Sequence, residues 1–356
     1  MQAQSGRAPG RVNLIGDHTD YNRGLALPIA IDLATEVVFT PNGSSRITAL
    51  SGAFPDQVEI PLSIPVDPTV LGALEPAWSR PIAALVALVR PEWGGLLRIE
   101  STVPVGAGLS SSAALGVAVA VALGATGPAR TIAVLCQQVE AMTDVPVGMM
   151  DPLACAGAKA GHGLLIDFAD LSTAHVPLPE EMDIVVVHSG ISRDLRYSPY
   201  AARVAECEAA AAVVGPLGTA DDADVAGLRD PILARRTRHV VTECRRVREF
   251  AGAMAAGDIH RAGAIMRESH RSLAEDFEAS TPELDELVEH LAAMDGVHGA
   301  RLTGAGFGGC VVAVSEPGAV DVDGLGPWAC RGGCCAPTRT SSSTSAPTGW
   351  PWSGRW

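Results

Sequence analysis

Three serines, Ser110, Ser111 and Ser112, stand where a loop containing Gly106 and Gly108 runs into an apolar stretch, within PVGAGLSSSAALGVAVAVAL at residues 104–123. Glycine lets backbone come close to a ligand. At the start of a helix the hydroxyls join unsatisfied N–H groups and the positive end of the helix dipole, which together favour a phosphate. The competing reading is a serine that only caps a core helix. A second group, GRVNLIGDHTDYN at residues 10–22, packs Arg11, Asp17, His18, Thr19, Asp20 and Tyr21 behind a short apolar run. Several donors and acceptors so close together suit recognition of a polyol, whereas a surface turn needs only one or two. In VGMMDPLACAGAKAG, residues 147–161, Asp151 is the single acid among small and apolar residues. Such a carboxylate needs a partner; an Arg would leave it ready to accept or orient a hydroxyl proton, and the alternative is an exposed acid at a helix start. Finally, RLTGAGFGGCVVAV at residues 301–314 contains GxGxxG at Gly304, Gly306 and Gly309. A dinucleotide fingerprint opens a helix, but CVVAV follows here, so a glycine turn between two strands is expected.

The elements that must hold these groups follow from periodicity. Strands are expected at residues 12–15, 35–40, 96–101 and 164–167, alternating with helices at 81–89, 111–124, 129–142 and 148–159. After a polar, proline-bearing boundary at 170–182 come a strand at 184–188 and helices at 198–214, 231–256, 258–275 and 281–294. Strands at 301–303 and 310–314 then flank the glycine turn. The expected fold class is α+β.

Composition narrows the ligand. The formal net charge is −14, and Lys159 is the only lysine. A lysine-lined nucleic-acid groove or a polybasic membrane patch is therefore excluded. Lys159 stands in AGAKAGHG, which is neither a Walker A lysine nor a protein-kinase strand lysine. Any phosphate must be gripped by backbone, Arg or metal. Cys136, Cys155, Cys207, Cys244 and Cys310 lie in apolar or helical contexts, which reads as a reduced, cytoplasmic setting. The longest apolar run, residues 113–125, is too short to span a bilayer. Residues 324–356 contain no acid but four of the six Trp and three of the eight Cys, an abrupt change that reads as disorder or as out-of-frame sequence.

With four motifs in this order, the chain resembles the GHMP small-molecule kinases, and residues 10–22 are close to the galactokinase signature within them. The resemblance covers roughly residues 8–315. It implies a two-domain α+β fold of mixed sheets and packed helices with the active site between the domains: residues 1–175, residues 176–317 and an atypical tail at 318–356. It further implies ATP and Mg²⁺, with Gly106, Ala107, Gly108, Leu109, Ser110, Ser111 and Ser112 wrapping the triphosphate. Ser112 and Glu140 would hold Mg²⁺, and Ser51 would lie beside the nucleotide. Asp151 would take or orient the anomeric hydroxyl proton of galactose, paired with Arg11, while Asp17, His18, Thr19, Asp20 and Tyr200 would bind the sugar. The expected partner is a small sugar, with neither nucleic acid nor membrane, and the oligomeric state is left open with a monomer as the default. Arabinose, N-acetylgalactosamine or a cyclitol are alternative substrates, and a non-catalytic galactose sensor is an alternative role. The sequence departs from the family pattern at Asp17, where Glu is usual, at Pro152, where Gln is usual, and at Val204, where a second Arg is usual. The helix and strand that normally precede the first motif are missing, and a further alternative is a damaged, poorly folding product in which that gap and the altered tail leave unpaired sheet edges.

Overall fold

The computed structural model describes residues 2–143, 148–191, 199–322 and 329–332, the last four by backbone alone. In the first half, β1 (Gln4–Asn13) pairs antiparallel with β3 (Pro28–Pro41). β6 (Gly95–Ser101) adds to β3, and β4 (Arg46–Ser51) runs parallel to β6 with β5 (Phe54–Pro61) at the edge. β4 and β5 escaped the sequence reading because only alternate residues such as Val58 and Ile60 are buried there. Helices α1 (Pro68–Gly72), α2 (Arg80–Val89), α3 (Ser111–Ala122), α4 (Ala129–Met142) and α5 (Met150–Gly157) complete this half.

The contact of α3 with β1 places the site. The helix is apolar nearly all round, as a helix buried on every side must be. Its alanines let the strand come so close that a Cβ on Gly6 would lie 2.1 Å from the Ala118 carbonyl oxygen. Arg11, further along the same strand, is thereby brought beside the loop that opens α3, and its N–H donates to the Leu109 carbonyl at 3.1 Å.

A small sheet of β2 (Leu25–Ala26), β7 (His162–Asp167) and β8 (Ser172–Pro177) follows. β8 falls inside the stretch expected to be an aperiodic boundary; a hairpin with β7 ordered it despite its polar side chains. The second half holds β9 (Asp183–His188), α6 (Tyr200–Val214), α7 (Asp222–Gly227), α8 (Pro231–Ala256), α9 (Ile259–Glu275), α10 (Pro282–Ala292), β10 (Val297–Thr303) and β11 (Cys310–Ser315). The long helices start where expected because Asp230, Asp258 and Thr281 cap their first turns. β10 and β11 flank the glycine turn as an antiparallel pair, and β9 joins β11.

Of the tail set at 318–356, residues 318–322 and 329–332 lie among those described. Val320 is buried in the core of the second half. A short strand, β12 (Ala329–Gly332), runs antiparallel to β9 and touches β3 at Ile31, so it fills the place where an open edge was expected. Strand pairing uses backbone groups that every residue but proline carries, so these four residues can pair whatever their composition. One apolar core crosses the halves, with Val12 and Leu14 in the same cluster as Val247 and Phe250 of α8.

Candidate active site

Arg11 and Asp151 meet at the centre of a cleft of about 280 Å³. Arg11 Nε donates to Asp151 Oδ1 at 2.7 Å and Nη2 pairs with the same carboxylate, while Nη1 donates to the Gly108 carbonyl at 2.8 Å. Ser110 Oγ donates to the other oxygen, Oδ2, at 2.5 Å. The acid on α5 thus has the arginine partner that its isolation demanded. Burial works against the Arg11 charge, but the Asp151 carboxylate more than offsets this and raises the guanidinium pKa. Ser110 has φ +61° and makes no side-chain cap at the start of α3. Its hydroxyl serves Asp151 instead, so the reading of that serine as a simple cap fails.

One wall of the cleft is the serine loop, where Gly106, Gly108, Ser110, Ser111 and Ser112 face the opening. Ala107 and Leu109 alternate with them, bury their side chains in the core and do not line the cleft. Gly106 has φ +78° and open space where a Cβ would be, as a close approach of backbone to ligand requires. The loop is braced from the second half by Cys310, whose thiol donates to the Ala107 carbonyl at 3.1 Å.

The other wall comes from the turn after β1 and the start of α6: Asp17, His18, Asp20, Tyr21 and Tyr200. His18 Nδ1 is 2.8 Å from the Tyr21 hydroxyl, and its ring lies 4.3 Å from Phe277 and 5.9 Å from Tyr200. Burial pushes the Asp20 carboxyl up to about 6, with the charges of Asp151 and Asp17 adding to the shift. The glycine turn closes this end through Gly304 and Ala305.

Among the expected contacts, Thr19, Ser51 and Glu140 do not line the cleft. The Thr19 hydroxyl is fully buried against the carbonyls of Gly16, at 2.8 Å, and Leu25, at 2.7 Å, so it shapes the turn and does not reach the cleft. Ser51 ends β4 and accepts from the Ala53 N–H at 3.3 Å, away from the cleft lining. Asp17 reaches the cleft wall, yet Oδ2 accepts from Arg301 Nη2 at 2.6 Å and Oδ1 from the Gly304 N–H at 3.0 Å. Glu140 is buried on α4, where burial and then the Asp151 charge push its carboxyl up to about 8. Its Oε2 has no hydrogen-bond partner among the described residues.

Around this site lies a polar network that motif reading did not find. Glu243 on α8 accepts from the Gly16 N–H at 3.0 Å, from Ser269 Oγ at 2.7 Å and from Arg246 Nε at 2.7 Å. Below α6, Arg203 Nε donates to the Phe277 carbonyl at 2.7 Å and Arg236 Nε to Glu206 at 2.6 Å, fixing the helix that presents Tyr200.

Comparison with known proteins agrees with this arrangement. Residues 2–41 match the galactokinase galactose-binding signature, residues 80–158 the GHMP kinase N-terminal domain and residues 250–322 the GHMP kinase C-terminal domain. Over 332 residues the chain is 40% identical to the galactokinase of Homo sapiens, covering 88% of this chain and 83% of that one. The galactokinase of Chloroflexus aggregans is 40% identical over 331 residues, covering 88% and 84%. The crystal structure of Lactococcus lactis galactokinase complexed with galactose superposes with a TM-score of 0.85 at 26% identity, over 95% of both chains. The mevalonate kinase of Methanococcus jannaschii shares the fold alone, with a TM-score of 0.61 at 20% identity over 88% of this chain and 91% of that one. With its paired Arg11 and Asp151 set between a serine loop and a polar turn, the chain belongs to the galactokinase family of the GHMP kinases and is a sugar kinase that uses ATP.

Proposed function

We propose that this protein transfers the γ-phosphoryl group of ATP to the anomeric hydroxyl of D-galactose, giving α-D-galactose 1-phosphate and ADP. The observation that carries this reading is the Asp151 carboxylate, gripped by Arg11 and Ser110, in one cleft between the serine loop and the His18, Asp20 and Tyr200 wall. Phosphoryl transfer asks chiefly for positioning and for stabilisation of charge on the moving group. The serine loop and the α3 terminus hold the phosphates. Asp151 accepts the anomeric O–H hydrogen bond and takes its proton as the new P–O bond forms. Arg11 keeps that carboxylate in place and offers positive charge next to the transferring oxygens.

Ser112 and Glu140 would hold Mg²⁺. The fit rests on the buried, unpartnered Glu140 Oε2, a position where a cation would satisfy a carboxylate that nothing else neutralises. A single protein carboxylate suits this ion, which usually takes its other ligands from substrate phosphates and water. When bound it shields the phosphate charge. Glu140→Gln is expected to raise the Mg²⁺ concentration for half-maximal rate by at least about tenfold; titration of activity with Mg²⁺ checks this.

Purified protein with ATP, Mg²⁺ and a panel of galactose, arabinose, N-acetylgalactosamine and a cyclitol tests the substrate. Galactose is expected to give the highest kcat/KM; turnover of another sugar alone would reassign the substrate. The complete serine loop disfavours a non-catalytic sensor, and the high identity to galactokinases disfavours the other acceptors. The setting we infer is cytoplasmic, supported by the five buried cysteine thiols among the described residues, with a monomer as the default state.

Asp20 sets a pH limb. Its carboxyl is raised to about 6, so it is protonated below that pH and gives up a charge-assisted hydrogen bond to the sugar. The kcat/KM for sugar is expected to fall as pH drops through about 6. In Asp20→Asn this limb disappears while overall affinity is lower; a pH profile of both proteins provides the check.

A further inference from the structure

After α9 the chain makes an elbow at residues 276–279, which motif reading did not single out and which does not line the cleft. Its backbone is held from several directions. The Phe277 N–H donates to the Ser272 carbonyl at 2.9 Å, and the Ala279 N–H to the Leu273 carbonyl at 2.9 Å. Arg236 Nη1 donates to the Asp276 carbonyl at 2.5 Å, and Arg203 Nε to the Phe277 carbonyl at 2.7 Å. Between them Glu278 takes φ +54°, a state that costs energy for a residue with a side chain and persists where the surroundings impose it.

Three parts of the cleft meet at this elbow. Arg203 belongs to α6, the helix that starts at Tyr200. The glycine turn docks through the Phe307 N–H, which donates to the Ala279 carbonyl at 2.8 Å, and through Gly306, where a Cβ would collide with the same carbonyl oxygen. The turn after β1 rests on the Phe277 side chain. That ring is fully buried, 4.3 Å from the His18 ring at an interplanar angle of 30°. It also lies 4.7 Å from the ring of His239, whose Nε2 donates to the Asp17 carbonyl at 3.1 Å. His18 lines the cleft from a backbone at φ +62°. The contact of its Nδ1 with the Tyr21 hydroxyl at 2.8 Å fixes one atom of the imidazole but not its plane; a flat aromatic face against the ring fixes the plane.

We propose that Phe277 is a positioning residue for the sugar-facing wall: its ring sets the plane of the His18 imidazole, and the elbow that carries it keeps that imidazole in register with Tyr200 and the glycine turn. The proposal deepens the sugar-kinase reading and rests on it. An apolar side chain without a flat face would occupy the space and leave the imidazole free to tilt.

Full-length Phe277→Leu, with Phe277→Met as a second variant, keeps an apolar side chain and removes the flat face. In either variant kcat/KM for galactose is expected to fall about 10- to 10²-fold, the upper end being what a displacement of about 1 Å costs. The loss is expected chiefly in KM for galactose, with KM for ATP within about twofold of wild type. In a His18→Ala background the same substitution is expected to change kcat/KM by less than about threefold, because the ring it orients is gone. An equal loss in both backgrounds, or a lower melting temperature with unchanged KM for galactose, overturns the proposal, since packing alone produces either. Proton NMR of the His18 imidazole, assigned by its absence in His18→Ala, gives a readout independent of turnover. Its carbon-bound protons are expected upfield of a free imidazole in the wild type, shielded by the Phe277 face, and are expected to move back in a folded variant. Protons unshifted in the wild type, or unmoved in the variant, overturn the proposal. Should the wild type phosphorylate no sugar, the kinase reading fails separately and this signature decides the stack. It decides equally if neither variant folds or if His18→Ala turns over too slowly to measure.

Discussion

Asp151→Asn is expected to lower kcat by about 10²- to 10⁴-fold, the usual contribution of a positioned general base, while the Kd for ATP stays within about twofold. The amide oxygen can still accept from Arg11, so the geometry of the pair persists in part, but the group can no longer take a proton. The serine loop touches Asp151 through Ser110 Oγ, and Arg11 links the two through the Gly108 carbonyl. ATP binding therefore needs to be measured alongside turnover. A thermal melt is needed as well, because Asn leaves the buried Arg11 without its counter-charge. Folded protein that binds ATP and turns over at near wild-type rate would remove Asp151 from the proton-transfer step.

The parts of the site that sequence made legible are those whose chemistry is local. Gly106 to Ser112 needs only a glycine loop and a helix start in succession, and both are visible in a dozen residues. Asp151 was legible because an unpaired acid in an apolar helix is costly, and the predicted arginine proved to be Arg11, 140 positions away. Within the polar burst of residues 17–21, by contrast, sequence could not distinguish residues that face a ligand from those that hold the turn. Thr19 proved to be the second kind, and Asp17 binds Arg301 across 284 positions. Helix α8 carries Arg235, Arg236, Arg238, Arg245, Arg246 and Arg248, and its pattern does not reveal that Arg236 alone among them is fully buried. β12 was illegible for another reason: its place in the sheet is defined by open backbone groups on β9, a property of the fold and not of the four residues.

Glu243→Gln is expected to destabilise the folded protein by about 3–5 kcal/mol, the range for removing one partner of a buried ion pair. Glu243 has no exposed surface and faces two guanidinium groups, Arg246 at 2.7 Å and Arg301 at 3.8 Å. Its own burial works against ionisation, yet the two arginines prevail and bring the carboxyl down to about 2. Gln keeps an acceptor for the Gly16 N–H but leaves the buried Arg301 and the partly buried Arg246 with Asp17 as the one remaining carboxylate among these residues. The pH dependence gives a second signature. A carboxyl held below its unfolded value stabilises the protein fully above about 4.5, and this stabilisation is lost as pH falls through the folded value near 2. Wild type should therefore lose this contribution between about pH 4.5 and 2, whereas Glu243→Gln lacks it at every pH and shows a flatter acid limb. Denaturant unfolding of both proteins at neutral pH and at several acid pH values provides the measurement. Equal stability at neutral pH, or parallel acid limbs, would show that the arginines find other counter-charges when Glu243 is lost. The same substitution separates stability from recognition, because Arg301 and Asp17 remain in place: the folded fraction should still discriminate among sugars, with affinity reduced to the extent that the Gly16 turn loosens.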